Sequence, residues 1–523
     1  MNSFTHEILD RIGKNGYTDI WFTGLIAHAS QSEYNAQDIA PSHPATVKGK
    51  AGSPYAIRDY YDIDPDLAES VPDRMAEFQS LIERVHASGL RFIMDFVPNH
   101  VARQYHSSHL PHGIQDLGEN DDENCEFSPS NNFYHFPGQI LGGDIDWNGY
   151  REFPARATGN NRFNANPGKC DWYETIKLNY GIDWRDGSSH FDPTPDTWTK
   201  MTDILLFWAG KGVDAFRCDM AEMVPVEFWH YAIRKVKSRF KKVEFIAEIY
   251  NPGLYSSYIE FGGFDWLYDK VGLYDTLRAV VEGRESATAI TRCWQSTGSN
   301  GSHMLHFMEN HDEQRISSDF FAGSPSKALP AMAVSALMDI CPVMVYAGQE
   351  LGEKGMDEEG FSGVDGRTTI FDYWAPDTLR RQYNDGRFND ELLTDDEKSL
   401  KAVYSKLMNI ARKEKSISNG RFFDLMYVNP TSETYNPHVQ YSFLRSDGKD
   451  TILIVTNFSS QNLQTSVFIP QHAFDYLEMN AAESCRMTDL MSGKSYSTPL
   501  LPDSAIRFNV PANSFTILKW KNI

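Results

Sequence analysis

No stretch of the sequence reaches the ~18 consecutive apolar residues that a membrane-crossing helix needs. The first residues, Met1-Asn2-Ser3-Phe4-Thr5-His6-Glu7, lack the basic and apolar regions of a secretion signal. A soluble, cytoplasmic protein is therefore expected. Cysteine is scarce: Cys125, Cys170, Cys218, Cys293, Cys341 and Cys485 are far apart, and none belongs to a Cys-x-x-Cys pair. That spacing argues against a disulfide framework or a zinc site and predicts reduced, buried thiols. Positive charge is also short, with 49 Lys and Arg against 71 Asp and Glu, for a formal net charge of −22. Such a balance excludes nucleic acid and an anionic membrane surface as natural partners and leaves neutral small molecules. Tandem repeats and low-complexity tracts are absent.

What the chain does have is length and apolar mass. Its 523 residues, 41% hydrophobic and 13% aromatic, exceed one ordinary domain and can fill a large core. The most informative stretch is Gly212-Val213-Asp214-Ala215-Phe216-Arg217-Cys218-Asp219, a short apolar run flanked by glycines that ends in charge. Three other runs share the design, ending at Asp95, at Glu248 and at Glu309-Asn310-His311-Asp312. Helical patterns separate them. Parallel strands that close into a barrel bring their C-terminal ends to one rim, so the four runs predict carboxylates converging on one pocket.

In chain order, Phe4 to Ile12 has helical spacing and Tyr17 to Phe22 reads as a strand. Helices are expected at Pro72–Ser88, Asp196–Gly210, Pro225–Phe240, Leu273–Val281, Lys327–Asp339 and Glu397–Lys413, with further strands at Phe264–Tyr268 and Val343–Tyr346. Periodicity is lost between 102 and 179, a span rich in Asn, Gly, Pro and aromatics and too long for a mere loop. Beyond Asn419 short alternating strands take over, at Gln440–Arg445, Thr451–Asn457, Thr465–Ile469 and Ser514–Trp520. The expected organisation is a barrel over 1–101 and 180–418, an inserted irregular domain over 102–179, and an antiparallel β-sandwich over 419–523.

Two carboxylates at neighbouring strand ends are what glycoside hydrolysis needs, one ionised and one protonated. Arg217 lies two residues before Asp219, on the same face, and favours its ionised form. Glu248 has Ile246, Ala247, Ile249 and Tyr250 around it in sequence, surroundings expected to keep it an acid.

Asp95-Phe96-Val97-Pro98-Asn99-His100, Phe216-Arg217-Cys218-Asp219, Ala247-Glu248 and Glu309-Asn310-His311-Asp312 resemble, in order, the four signature regions of the α-amylase superfamily of glycoside hydrolases. The resemblance covers nearly the whole chain. It implies an α/β fold: a TIM-type (β/α)8 barrel, an irregular domain inserted after its third strand, and a C-terminal β-sandwich. It further implies a retaining hydrolase of α-1,4-glucosidic bonds in starch-like glucans or maltooligosaccharides. By that resemblance Asp219 is the nucleophile, Glu248 the general acid/base and Asp312 the carboxylate that grips the sugar hydroxyls. Arg217, His100 and His311 hold the sugar at the cut, Tyr55 stacks on it, and Asp95 organises the pocket. No cofactor is implied for the chemistry.

Three departures from the family pattern matter. Glu222 and Met223 stand where many amylases carry a Lys-His pair that holds the sugar beyond the cut, so short maltooligosaccharides are as good a substrate expectation as starch. Asn99 matches a residue that in many relatives binds a structural calcium, with its other ligands in the inserted domain. Finally, the chain opens on a helix where relatives have a first strand, so either the start lies upstream or the barrel has seven strands. Two rival functions stay open, an α-glucan transglycosylase using the same carboxylates and a noncatalytic relative that binds sugar or protein.

Overall fold

The computed structural model describes residues 1–355 and 363–522. Seven parallel strands form one curled sheet in the order of the chain: β1 (Asp19–Phe22), β2 (Arg91–Phe96), β3 (Ala215–Cys218), β4 (Glu244–Ala247), β5 (Trp266–Tyr268), β6 (Met304–Phe307) and β7 (Val343–Met344). Helices return the chain between them, at Arg74–Ala87, Asp196–Gly210, Val226–Arg239 and Leu329–Leu337 among others. Alternation along each strand sorts the side chains. Phe92, Met94, Phe96, Phe216 and Phe245 point outward and are buried against the helices, where Phe78 meets Phe92 edge-on at 5.6 Å and Trp229 meets Phe96 at 6.5 Å. Ile246, Tyr268, Leu305 and Phe307 point inward, with Trp21 and Ile93 beside them.

The sheet does not close. Among the described residues β1 pairs only with β2 and β7 only with β6. Between these two edges lies a cavity of about 970 Å³ that reaches the barrel interior at Trp21, Ile93, Ile246 and Trp266. The described residues supply seven strands to the barrel, and the open seam leaves Trp21, Ile93 and Trp266 only half-buried.

The helix His6–Lys14 starts on Thr5, whose hydroxyl accepts the Ile8 N–H at 3.4 Å. The helix Ala289–Thr297 has no counterpart in the sequence reading, since its buried side chains are just Ala289, Ile290 and Cys293.

Residues 102–179 leave the barrel and rejoin it through one antiparallel pairing, His100–Ala102 against Thr175–Lys177, in which His100 faces Lys177. Inside the excursion a small core of Tyr134, Phe136, Leu141, Ala155, Ala157 and Ala165 replaces regular structure. At the other end of the chain, six antiparallel strands (421–424, 440–446, 450–457, 514–521, 482–489 and 495–500 in spatial order) and a two-stranded sheet (463–469 with 504–510) form the terminal β unit. Its core merges with that of the helix Leu329–Leu337, and Arg445 fixes the junction by donating to the carbonyls of Met338 at 2.7 Å and Ile417 at 2.6 Å. All six cysteines are free. Cys218, Cys293 and Cys485 are buried as expected, but Cys125 and Cys341 are only half-buried and Cys170 lies exposed in the inserted segment, where no apolar run covers it.

Candidate active site

β2, β3 and β4 are in register, Phe96 beside Cys218 and Cys218 beside Ala247. The next residues of β3 and β4 are Asp219 and Glu248. Backbone bonds from Asp219 N to Phe96 O at 2.9 Å and from Glu248 N to Cys218 O at 3.1 Å carry the pairing one step past the strands. The two carboxylates therefore leave neighbouring strands at one level, roughly one inter-strand spacing of ~4.8 Å apart at the backbone.

Arg217 joins them. It is fully buried, and one terminal nitrogen donates to Asp219 Oδ1 at 2.9 Å and to Asp95 Oδ1 at 3.1 Å. The other terminal nitrogen meets Glu248 Oε2 at 2.8 Å as an ion pair, off the line of its N–H bonds. Nε donates to the Tyr268 hydroxyl at 3.2 Å, and the rings of Trp21, Tyr55 and Tyr268 each lie 5.4 Å from the guanidinium carbon. Burial pulls the pKa of Arg217 down, but the charge of Glu248, then those of Tyr268, Tyr55 and Asp95, hold it well above the ordinary value.

Sequence proximity misjudged the surroundings of Glu248. Instead of an apolar shell it meets Arg217, the Tyr250 hydroxyl (2.6 Å to Oε1) and the N–H of Met220 (2.8 Å to Oε2). Met220 reaches it in a left-handed conformation, φ +44°, that side chains seldom adopt. Asp219, by contrast, is pushed well above the usual carboxylate range, by burial first and the charge of Glu248 second, with Arg217 opposing. The Asp219 carboxyl therefore keeps its proton to a higher pH than an ordinary aspartate would.

Asp312 faces this pair. Asn310 Oδ1 accepts the N–H groups of Asp312 and Glu313, both at 2.9 Å, a turn that fixes the carboxylate. Its side chain keeps 45% of its surface open to the cleft and touches His311 Nε2 at 3.2 Å. Burial raises its pKa, and Arg217 and Arg367 oppose the shift; cleft water weakens the effect at so exposed a group. His311 stacks on Tyr55, 5.3 Å between centroids, and its Nε2 is 2.5 Å from the Tyr55 hydroxyl. Burial, then the charge of Arg217, lowers His311 to about 4. Tyr55 can come this close because Gly52 turns the loop at φ +75°, where a Cβ would sit 1.7 Å from the Ala29 carbonyl oxygen.

His100 stands on the side of the inserted segment. Its Nδ1 accepts from Asn99 Nδ2 at 3.0 Å, its ring lies 5.2 Å from that of Trp172, and burial followed by the charges of Lys177 and Lys48 lowers it to about 3. Both histidines are thus neutral hydrogen-bonding groups. Asp95 stays behind the pocket, accepting from Arg217, from Trp21 Nε1 at 3.0 Å and from the Tyr55 hydroxyl at 3.4 Å.

The structure thus brings Asp219, Glu248, Asp312, Arg217, His311 and Tyr55 around one basin, with His100 at its edge. Sequence reasoning missed Trp21, Tyr268 and Tyr250. Tyr250 had a signal, because it lies two residues beyond Glu248. Glu222 does not face the basin; its Oε2 accepts the N–H groups of Tyr250 and Asn251, both at 3.0 Å, and so holds the loop after Glu248.

A curled parallel sheet whose C-terminal rim gathers three carboxylates around one arginine is the site of a barrel glycoside hydrolase. Comparison with known proteins agrees. The family model for the α-amylase catalytic domain matches residues 6–250. Alpha-amylase 3 of Dictyoglomus thermophilum is 25% identical over 391 residues, covering 70% of this chain and 68% of that protein. An alpha-1,4-glucan:maltose-1-phosphate maltosyltransferase of Cereibacter sphaeroides is 27% identical over 226 residues, 41% of this chain and 24% of that protein. The maltogenic alpha-amylase AmyB of Thermotoga neapolitana shares the fold at a TM-score of 0.63 and 19% identity, over 99% of this chain and 93% of that one. Residues 6–250 thus match the α-amylase catalytic domain, and the whole chain has the fold of alpha-amylases. Among the described residues no helix is long and apolar enough to cross a membrane.

Proposed function

We propose that the chain is a retaining glycoside hydrolase that cleaves α-1,4-glucosidic bonds of starch-like glucans or maltooligosaccharides. The observation that carries the reading is the grip of one guanidinium on both Asp219 and Glu248, which supports the close spacing of about 5–5.5 Å that a double displacement uses. A carboxylate oxygen of Asp219 attacks the anomeric carbon while the bond to the leaving oxygen breaks and Glu248 gives that oxygen its proton. Glu248 then takes a proton from water, the hydroxide oxygen bonds to the anomeric carbon, and Asp219 is released as carboxylate. Asp312 accepts hydrogen bonds from sugar hydroxyls, and neutral His100 and His311 donate to others. Tyr55, fixed by His311 and Asp95, offers the apolar face. In this reading no cofactor takes part in the chemistry, and six free thiols support a reducing, cytoplasmic compartment.

A transglycosylase reading rests on the same atoms, with a sugar hydroxyl replacing water in the second step, and the maltosyltransferase relative is its support. Product analysis with maltoheptaose separates the two. Shorter maltooligosaccharides alone, absent with Asp219→Asn, are expected; products longer than the substrate, increasing with added acceptor, would favour transfer. No turnover on any α-glucan by a folded chain would contradict both and leave a noncatalytic binding role.

A further inference from the structure

The resemblance to calcium-binding relatives directs attention to Asn99, and the structure places a cation there already. Asn99 is completely buried just past the end of β2. Its Nδ2 donates to Gly159 O at 2.8 Å and to His100 Nδ1, while its Oδ1 accepts from the ammonium of Lys177. Lys177, also buried, donates to the carbonyl of Met223 at 3.1 Å as well. Three segments meet at this nitrogen: the turn after β2, the strand that closes the inserted segment, and the turn four residues beyond Asp219.

Calcium does not fit this arrangement. It takes six to eight oxygens, carboxylates prominent among them. Here two neutral oxygens converge, both are engaged by an ammonium, and no ionised side chain among the described residues offsets the burial that lowers Lys177 to about 7. A buried lysine with no carboxylate partner is costly, so its retention asks for a positional reason.

We propose that the ammonium of Lys177 takes the structural place of a metal ion, pinning the inserted segment to Asn99 and to the turn after Asp219, and that the chain binds no calcium at this point. Lys177 is a positioning residue. It touches no reacting atom and acts through Met223 on the Asp219 turn and through Asn99 on His100. The metal half of this inference does not depend on the proposed reaction, because it is read from melting and not from turnover.

The direct test is the melting temperature of the unaltered chain in excess calcium and in excess EDTA. Identical values are expected; a rise in calcium reversed by EDTA would overturn the inference. The positioning half is tested with Lys177→Met, which keeps the length and loses the charge, beside Lys177→Arg, which keeps a cation. Lys177→Met should melt several degrees lower and lose about ten- to a hundredfold in kcat with a smaller change in KM, and Lys177→Arg should recover part of both. Should Lys177→Met keep the parent's melting point and kcat, the ammonium does not position the turn. If neither variant folds, the calcium and EDTA comparison on the parent still decides whether a metal is held.

Discussion

Arg217 and Lys177 are both buried cations at the barrel rim, and they are held in opposite ways. Arg217 sits among carboxylates, with Asp95, Asp219 and Glu248 all within 3.1 Å. Among the described residues Lys177 is held by the neutral amide oxygen of Asn99 and the carbonyl of Met223. In the first neighbourhood charge dominates: the cation's pKa is held up, and Asp219 and Asp95 are raised because burial outweighs their share of one guanidinium. In the second, dipoles must do the work, and burial lowers the ammonium instead. A surplus of negative charge around one cation is what acid–base chemistry requires, whereas a cation tied to backbone and amide oxygens can only fix geometry. In the proposed reading the first neighbourhood reacts and the second holds it in place.

Breaking the first neighbourhood should have the larger effect. Arg217→Met leaves three buried carboxylates without their partner, so a loss of about 3–5 kcal/mol in stability is expected together with loss of turnover; denaturant melts and kcat/KM check both. Asp219→Asn should lower turnover by about 10⁴-fold or more yet raise the melting temperature. The sign follows from linkage. A carboxyl whose pKa is raised by folding contributes stability that is complete below its unfolded pKa near 3.9 and disappears as pH rises through the folded value. Removing it therefore stabilises at pH 8 and by less at pH 5, a difference that calorimetry at the two pH values resolves.

Breaking the second neighbourhood sharpens the contrast. Lys177→Met should cost about 1–3 kcal/mol by stranding the oxygens of Asn99 and Met223, with a smaller loss at pH 5, where the lowered ammonium is fully charged in the folded chain, than at pH 8. The smallest expected effect concerns the histidines. With His311 lowered to about 4 and His100 to about 3, neither titrates near neutrality, so His100→Asn should raise KM severalfold and leave the shape of the pH–rate profile unchanged above pH 5. A shifted limb in that variant would mean that His100 carries charge during turnover.

The carboxylate-ended strands were legible because each combines a short apolar run with a terminal charge, a pattern that survives in one dimension. The helix Asp196–Gly210 was legible to the residue from its amphipathic spacing. Arg217 was legible as a neighbour of Asp219, but its grip on Glu248 was not, since that contact depends on the register of β3 and β4. Trp21 and Tyr268 were hidden for the same reason: they enter the site by pointing inward from strands that carry no motif. Lys177 lies 78 residues from Asn99 and 46 from Met223, and a lone lysine in an irregular stretch reads as a surface charge. The absence of a strand before the first helix was legible by counting, whereas the open seam and the cavity behind it needed coordinates.

The central claim is that Asp219 attacks the sugar while Glu248 moves the proton. Incubation with a 5-fluoro-α-glucosyl fluoride, which slows release of a glycosyl-enzyme, followed by proteolysis and peptide mass mapping tests it most directly. The account predicts one fluoroglucosyl group esterified to Asp219, and none in Asp219→Asn. A label on any other carboxylate, or hydrolysis of the fluoride with inversion at the anomeric carbon and no adduct, would contradict it.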